Sequence, residues 1–308
     1  MIRVISLLPG ATDIVTALGT AEMLVGVTHE CEVLDAALPR VTRSAVDPHG
    51  SSAEIDRAVR AADAAGQPLF ALDGARIAAL APDLLLTQAL CDVCAVSEYD
   101  VRAIAEQLPN RPGVVTLSAT TIEGVLADIS TVAVALELAE RGRALIARLE
   151  TRMLAVHERL ARAAAPRRRI AVLEWTDPVF VAGHWVPQMV RRAGGVEVLG
   201  APGERSRMVA AQEVAAARPE IAVLAPCGYG VERAATEGNR LVSQAEWRWL
   251  ADVGLWALDA NVLTSRPGPR LIDGIETLAS IMHPALFGTP PPSLAVELIP
   301  GHVALAKR

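Results

Sequence analysis

Two segments of the chain repeat the same order of elements. Residues 77–91 read IAALAPDLLLTQALC, and residues 214–228 read VAAARPEIAVLAPCG. Each has the end of a helix, a proline, an acidic residue, a short apolar strand and a nearby cysteine. A short, wholly apolar strand that follows a helix is typical of a parallel α/β sheet. The repeat therefore predicts two α/β lobes of similar topology, although architecture alone does not give function.

Short apolar runs alternate with amphipathic stretches elsewhere in the chain, as they do in α/β proteins. SSAE at 51–54 predicts a helix start with a capping box between Ser51 and Glu54, and TTIE at 120–123 predicts a second one. The predicted strands are residues 2–8, 24–28, 84–87, 113–117, 169–175, 221–224 and 254–261.

A long stretch without proline lies between the two predicted lobes. Its apolar residues recur at helical spacing and predict one helix up to Leu136 and a second from 138 to 164. The second helix would span about 40 Å at 1.5 Å per residue, which is enough to cross a domain. We predict an N-terminal α/β lobe (1–119), linking helices that include this backbone helix (120–165), a C-terminal α/β lobe (166–289) and a proline-rich tail (290–308).

The charge balance excludes one broad class of function. Lys+Arg is 29 and Asp+Glu is 35, so the net charge is −6, whereas a non-specific nucleic-acid binder needs a basic face. No apolar run is long enough to span a membrane, and MIRVISLLPG lacks the features of an export signal. If Met1 is the true start, these features predict a cytoplasmic protein, and if it is not, an extracytoplasmic one. In the cytoplasm its four cysteines would be thiols, metal ligands or redox groups.

The predicted ligand site lies where the parallel strands end. Ligands of open parallel sheets bind beyond the carboxyl ends of the strands, and two facing lobes would share a cleft there. The turn at 9–13 could offer backbone N–H groups to a ligand, or it could be an ordinary turn capped by Thr12. The candidate ligand-binding residues are Pro9, Gly10, Thr12, Gln88, Trp175, His184, Trp185, Cys227, Gly228, Tyr229 and Arg266.

Two tryptophans stand out among these candidates because aromatic residues are only 3% of the chain. Trp175 and Trp185 offer large faces on which a flat ligand can stack, and core packing is the alternative role of each. His184 could coordinate a corrin cobalt or a haem iron, or it could hydrogen-bond an amide. Tyr229 could donate a hydrogen bond to a ligand, beside a glycine that permits close backbone approach.

Four residues have the composition of a zinc shell. His29 and Cys31 point the same way on an extended segment, and Cys91 and Cys94 have CxxC spacing. Both pairs follow strands of one predicted sheet. Cys₃His is a complete tetrahedral set, but a redox pair or buried apolar thiols would give the same pattern.

Several segments resemble the helical-backbone (class III) substrate-binding proteins of ABC importers, in particular their cobalamin-binding branch. The segments cover about residues 2–288 and read RVISLLPGATDIVTALG, LVGVTHEC, APDLLLTQALCDVCAVS, EWTDPVFVAGHWVPQMVRRAGG, LAPCGYG and NVLTSRPGPRLIDG. The resemblance implies two Rossmann-like α/β lobes bridged by one long helix, with the ligand held in a cleft between the lobes. It also implies ABC importer components as partners.

Three functional hypotheses follow. The leading one is a non-catalytic protein that binds a corrinoid (cobalamin-like) or related tetrapyrrole. The second is a cytoplasmic protein that binds or senses zinc or another transition metal through His29, Cys31, Cys91 and Cys94. The third, an enzyme that uses these thiols, has less support because the sequence has no GxSxG or HExxH motif.

Overall fold

The chain divides into two structural units, each built around its own sheet. The computed structural model describes residues 1–31, 37–89 and 96–298. The N-terminal unit consists of residues 1–150 with 267–269, and the remainder of the chain forms the C-terminal unit. Among the described residues, no helix combines the length and the apolar character needed to cross a lipid bilayer.

The N-terminal unit has a parallel four-stranded sheet in the order β2-β1-β5-β6. A separate antiparallel pair, β3 and β4, lies outside this sheet. The strands are β1 Val4–Ser6, β2 Leu24–Val27, β3 Thr42–Ser44, β4 Phe70–Leu72, β5 Leu84–Gln88 and β6 Gly113–Leu117. The helices are α1 Pro9–Ala17, α2 Ser52–Ala64, α3 Gly74–Leu80, α4 Glu98–Gln107, α5 Ile122–Ala135 and the first part of α6 Ala139–Arg162. A 3₁₀ turn at Ala21–Met23 lies between α1 and β2.

The C-terminal unit has a mixed sheet in the order β10-β8-β7-β11-β12-β13, with β9 beside the start of β7. Its strands are β7 Arg168–Thr176, β8 Val179–Val181, β9 Gly195–Glu197, β10 Arg207–Met208, β11 Ile221–Leu224, β12 Gly254–Leu258 and β13 Ala295–Glu297. Its helices are α7 Val186–Arg192, α8 Ala211–Ala216, α9 Val231–Ser243, α10 Ala260–Leu263, α11 Leu271–Met282 and α12 Pro284–Phe287, with a 3₁₀ turn at Arg248–Asp252.

The buried side chains explain why the apolar runs are strands. β5 and β11 are buried along their whole length, as expected for strands covered on both faces. β7, β11 and β12 are parallel neighbours, so their carboxyl ends share one edge of the C-terminal sheet. The strands of the repeated segments, 84–88 and 221–224, agree with the sequence prediction to within one residue.

The two predicted helix starts have different outcomes. The capping box at Ser51 is confirmed, because the Ser51 amide donates to Glu54 Oε2 at 2.8 Å and the Glu54 amide donates to Ser51 Oγ at 3.4 Å. The box at 120–123 is wrong by one residue. Thr121 is the cap, and its hydroxyl accepts from the Gly124 amide at 3.0 Å. Gly124 occupies the position where a box needs a carboxylate or amide side chain.

Two other predicted segments differ from the structure. The first strand is Val4–Ser6 instead of 2–8, because Pro9 already begins α1. Within the predicted tail, Ala295–Glu297 pair antiparallel with β12 and form an edge strand of the C-terminal sheet. A three-residue strand after a proline run has too little periodicity to be recognised in a sequence.

Helix α6 is predicted nearly to its ends, since it runs from Ala139 to Arg162 against the expected 138–164. In the C-terminal unit it is tied to α11 by one arginine. The Arg152 guanidinium donates to both Glu276 oxygens at 3.0 and 2.6 Å and to Asp273 Oδ1 at 2.7 Å. These two carboxylates raise the pKa of Arg152.

Replacing Arg152 with methionine should lower the free energy of unfolding by about 1–2 kcal/mol, because a bidentate guanidinium–carboxylate pair is lost while the aliphatic stem remains. The loss should shrink in high salt, which screens this partly exposed network. Urea unfolding at low and high salt measures both effects. Arg148→Met, at an exposed position of the same helix, is the control. Equal losses in the two variants would contradict a specific role for Arg152.

Candidate functional site

Three side chains stack at the carboxyl edge of the C-terminal sheet. Trp175 lies near the end of β7, and Tyr229 lies in the turn between β11 and α9. Their ring centroids are 5.3 Å apart with the planes at 59°. The Arg233 guanidinium carbon lies 3.6 Å from the Tyr229 ring centroid, and Arg233 Nη2 donates to the Tyr229 hydroxyl at 2.9 Å. Tyr229 is 3% exposed, whereas Trp175 and Arg233 are both half-buried, so solvent reaches these two members.

The turn beside this stack presents backbone to solvent. Cys227 and Gly228 are both exposed, and Gly228 has a φ of 77°. A side chain at Gly228 would meet no atom within 4 Å, so the surface over it is open. Two backbone amides of the turn are hydrogen-bonded. The Gly228 amide donates to Ser265 Oγ at 3.0 Å, and the Cys227 amide donates to the Glu174 carbonyl at 3.0 Å. The glycine thus lets a ligand approach the backbone closely.

His184 has an unusual backbone conformation. Its φ is 53°, a left-handed value that few residues other than glycine adopt. Its amide donates to the Glu204 carbonyl at 2.6 Å, and its carbonyl accepts from the Gly203 amide at 2.9 Å. Burial and the nearby Arg205 lower the pKa of the imidazole. Both effects favour the neutral form of the imidazole.

The strand β8 lies between Trp175 and His184 in the chain. The segment after Trp175 forms the strand β8, which turns back along β7 with Phe180 opposite Trp175 and Val181 opposite Leu173. The Ala182 amide then donates to the Val172 carbonyl at 2.8 Å. Residues 175–181 consequently belong to a hairpin of β7 and β8 and are not the open strand end that the sequence predicted.

Trp185 is a correction to the predicted site. It is 6% exposed, and its indole N–H donates to the Thr264 carbonyl at 2.8 Å inside the C-terminal unit. A ring buried in this way packs the core instead of presenting a face to a ligand. Arg266 is likewise buried, at 3% exposure, and its Nη2 donates to Asn261 Oδ1 at 2.9 Å.

In the N-terminal unit, residues 9–13 form the start of α1, and Gly10, Ala11 and Thr12 are buried. The Thr12 hydroxyl donates to Ser6 Oγ at 2.8 Å and lies 2.9 Å from Cys31 Sγ. A Cβ on Gly10 would lie 2.5 Å from the Pro267 carbonyl oxygen, so Gly10 is required for that segment to pack against α1. Pro9 begins the helix without an N–H, and Gln88 is 8% exposed at the end of β5. These contacts give Gly10 and Thr12 packing roles.

His29 makes two contacts with the Thr42 hydroxyl. His29 Nδ1 is 2.7 Å from Thr42 Oγ1, and the His29 amide donates to the same hydroxyl at 2.9 Å. Burial and the charge of Arg40 lower the pKa of His29. Residues 1–31, 37–89 and 96–298 contain no group of three or more His, Cys, Asp or Glu side chains arranged to hold a metal. Cys91 and Cys94 lie outside the described residues, so the proposed zinc set remains a prediction.

Arg233 was not among the residues predicted from the sequence, although one local signal indicates it. Arg233 follows Tyr229 by four residues, and α9 begins between them at Val231. A tyrosine just before a helix and an arginine in its first turn are close enough to stack. Ser265 was missed for a different reason, since its contact with Gly228 joins residues 37 positions apart.

Comparison with known proteins places this geometry in context. A family model described as periplasmic binding protein matches residues 4–248. No curated protein sequence matches the chain. A periplasmic heme binding protein from Pseudomonas aeruginosa is 21% identical with a TM-score of 0.70, covering 96% of this chain and 97% of that one. The apo periplasmic heme-binding protein RhuT from Roseiflexus sp. RS-1 is 22% identical with a TM-score of 0.68, over 92% and 99% of the two chains.

A third similar structure is the periplasmic vitamin B12 binding protein BtuF of Vibrio cholerae. It is 21% identical with a TM-score of 0.63, and the match covers 91% of this chain and 96% of that chain. At such identities the likeness establishes the fold, and it agrees with the α/β class predicted from the sequence. The predicted cytoplasmic location finds no support in these comparisons, because the matching family is described as periplasmic.

Proposed function

The chain belongs to the periplasmic binding protein family, and from this premise we propose that it binds a corrinoid or a related tetrapyrrole without catalysing a reaction on it. The family supports a ligand-binding role. The structural neighbours support the ligand class more loosely, since they are named for heme and for vitamin B12. We further propose that the protein acts outside the cytoplasm and passes its ligand to an ABC importer.

The observation that carries the proposal is the stack of Trp175, Tyr229 and Arg233 beside the exposed turn at Cys227 and Gly228. A macrocycle is broad and flat, so an indole face gives it the largest available contact area. Tyr229 packs against Trp175 through a ring contact, and Arg233 in turn holds Tyr229 through a cation–π contact. A ring fixed in this way loses little side-chain entropy when the ligand binds.

Charge also favours a ligand with acidic or amide substituents. Arg233 lies over one face of Tyr229 at the amino end of α9 and is half-buried. A guanidinium in that position can bind a propionate carboxylate or an amide carbonyl at the edge of a tetrapyrrole. The exposed Gly228 would leave room for the ring edge over the turn.

Optical titration of the purified protein with hydroxocobalamin, and separately with haemin, tests the proposal. We expect a saturable shift with a Kd in the low micromolar range or tighter, equivalent to about −8 kcal/mol. Trp175→Ala should weaken binding about 10- to 100-fold, because a stacked ring contributes about 1.5–3 kcal/mol. Trp256→Ala, at another part-buried tryptophan of the C-terminal unit, is the matched control.

The outcomes of the titration separate the two ligands. Binding of hydroxocobalamin supports a corrinoid, and binding of haemin alone supports the related tetrapyrrole. Failure of both to bind would overturn the proposal. Equal weakening by the two tryptophan variants would show that Trp175 has no special part in binding.

A further inference from the structure

A groove with arginines along its rim lies on the C-terminal unit, formed by the end of α6 and the end of α7. Its volume is about 440 Å³. The apolar lining comes from α6 and includes Met153, Leu160 and Ala161. Met153 and Leu160 are seven residues apart, about two helical turns, and therefore lie on one face of the helix. Gly194 also lines the groove and has a φ of 91°. The His283 ring and the Leu160 side chain occupy the space that a Cβ at this position would take.

The rim of the groove is cationic. Arg167, Arg191 and Arg192 line it together with His157, and none of the described residues that line it is acidic. Arg167 and Arg191 are exposed, and neither takes part in an ion pair within the described part of the chain. The rim contrasts with the chain as a whole, whose net charge is −6.

An exposed apolar side chain lies on the same helix as the apolar lining of the groove. Leu154 is 53% exposed, among the larger exposures for an apolar side chain in the described residues. It lies seven residues before Ala161, which places both on nearly the same line along α6. An exposed leucine on the helix that also lines a groove with arginines at its rim is typical of a surface that enters the headgroup region of a bilayer.

We propose that this arginine-lined groove docks the protein on the surface of a bilayer that contains acidic phospholipids. The arginines bind lipid phosphates, and Leu154 enters the acyl boundary. The rest of the protein is acidic and is repelled by the same surface, so docking fixes which face of the C-terminal unit meets the membrane. This inference does not depend on the proposed ligand.

Vesicle co-sedimentation of the full chain tests this proposal. We expect binding to vesicles of phosphatidylcholine mixed with phosphatidylglycerol and none to vesicles of phosphatidylcholine alone. Each arginine adds about a fivefold factor to partitioning, so Arg167→Gln with Arg191→Gln should weaken binding about 25-fold. The control is Arg43→Gln with Arg57→Gln, which removes the same charge from exposed positions of the N-terminal unit.

Two further measurements distinguish the membrane from other occupants. Leu154→Ser should weaken vesicle binding about fivefold, because an apolar contact with the acyl boundary is lost. Competition by soluble glycerol 3-phosphate, with no effect of Leu154→Ser, would identify a small phosphate site and overturn the proposal. Equal loss in the test and control pairs would overturn it as well, since binding would then follow net charge. The test pair must melt at the wild-type temperature; if it does not, Arg191→Gln alone replaces it, with a fivefold loss expected.

Discussion

Replacing Gly183 with alanine is expected to lower the free energy of unfolding by about 3 kcal/mol or more, because the new methyl group would overlap rigid backbone. An ideal Cβ at this position would lie 2.6 Å from the Ser206 amide nitrogen and 2.7 Å from the Arg205 carbonyl carbon, and it would also strike the Glu204 carbonyl oxygen. None of these is the flexible end of a side chain. The loop 203–206 would have to move away from β8 to admit the methyl group.

Movement of that loop would also release His184. The left-handed conformation of His184 is held by two backbone hydrogen bonds, to the Glu204 carbonyl and from the Gly203 amide. Urea unfolding measures the stability loss, and the NMR shift of the His184 ring reports its release. The control is Gly66→Ala, where φ is 61° and a side chain would meet no atom within 4 Å. That variant should lose only about 1 kcal/mol, from backbone strain alone. A loss at Gly183 no larger than at Gly66 would contradict the overlap.

The second large effect is a dependence of stability on pH that originates at Glu197. Burial raises the pKa of this carboxyl to about 7, against the lowering effect of hydrogen bonds from the Leu199, Gly200 and Val172 amides and the charge of Arg207. In the unfolded chain the group titrates near 4.5. Between these two values the folded state holds a proton that the unfolded state has lost.

The sign of the effect follows from this difference. The folded state binds more protons between pH 4.5 and about 7, so the contribution of Glu197 to stability falls as the pH rises through that range. The stabilising contribution of Glu197 protonation is largest below pH 4.5, and it no longer changes above about pH 7. At 1.36 kcal/mol per pKa unit, the total change is about 3 kcal/mol.

The measurement compares the wild type with Glu197→Gln from pH 4.5 to 8. The free energy of unfolding of the wild type minus that of the variant should decrease by about 3 kcal/mol over this range. Glu213→Gln is the control, because hydrogen bonding to Arg207 lowers the pKa of Glu213, and its contribution changes at pH values below the range. A difference that is flat with pH for Glu197→Gln would show that this carboxyl titrates normally.

Features that depend on neighbouring residues in the chain were predictable. The capping box of Ser51 and Glu54 involves residues three apart, and the buried strands 84–88 and 221–224 are marked by unbroken apolar runs. The position of Trp175 at the carboxyl edge of a sheet follows from the strand that precedes it. Such signals are local, because a helix turn or a strand face is set by residues a few positions apart.

Features that depend on distant pairing were not predictable. The edge strand β13 is fixed by pairing with β12, more than 30 residues earlier. Trp185 is of a residue type that often binds flat ligands. In the structure it is buried, and its indole N–H donates to the carbonyl of Thr264, 79 positions later in the chain. The contacts of Cys31 with Thr12 and of His29 with Thr42 likewise join residues 19 and 13 positions apart.

By itself, the sequence determined the α/β class, the repeated strand–helix order, the long helix α6 and the family resemblance. Periodicity and short-range capping specify these through interactions within one or two turns of chain. Only the tertiary structure decided which candidates meet at a surface. It joined Trp175, Tyr229 and Arg233 in one stack and buried Trp185 and Arg266. The reason is that the burial and hydrogen-bond partners of a side chain are set by segments far away in sequence, and the competition among those partners is settled when the sheet and helices pack.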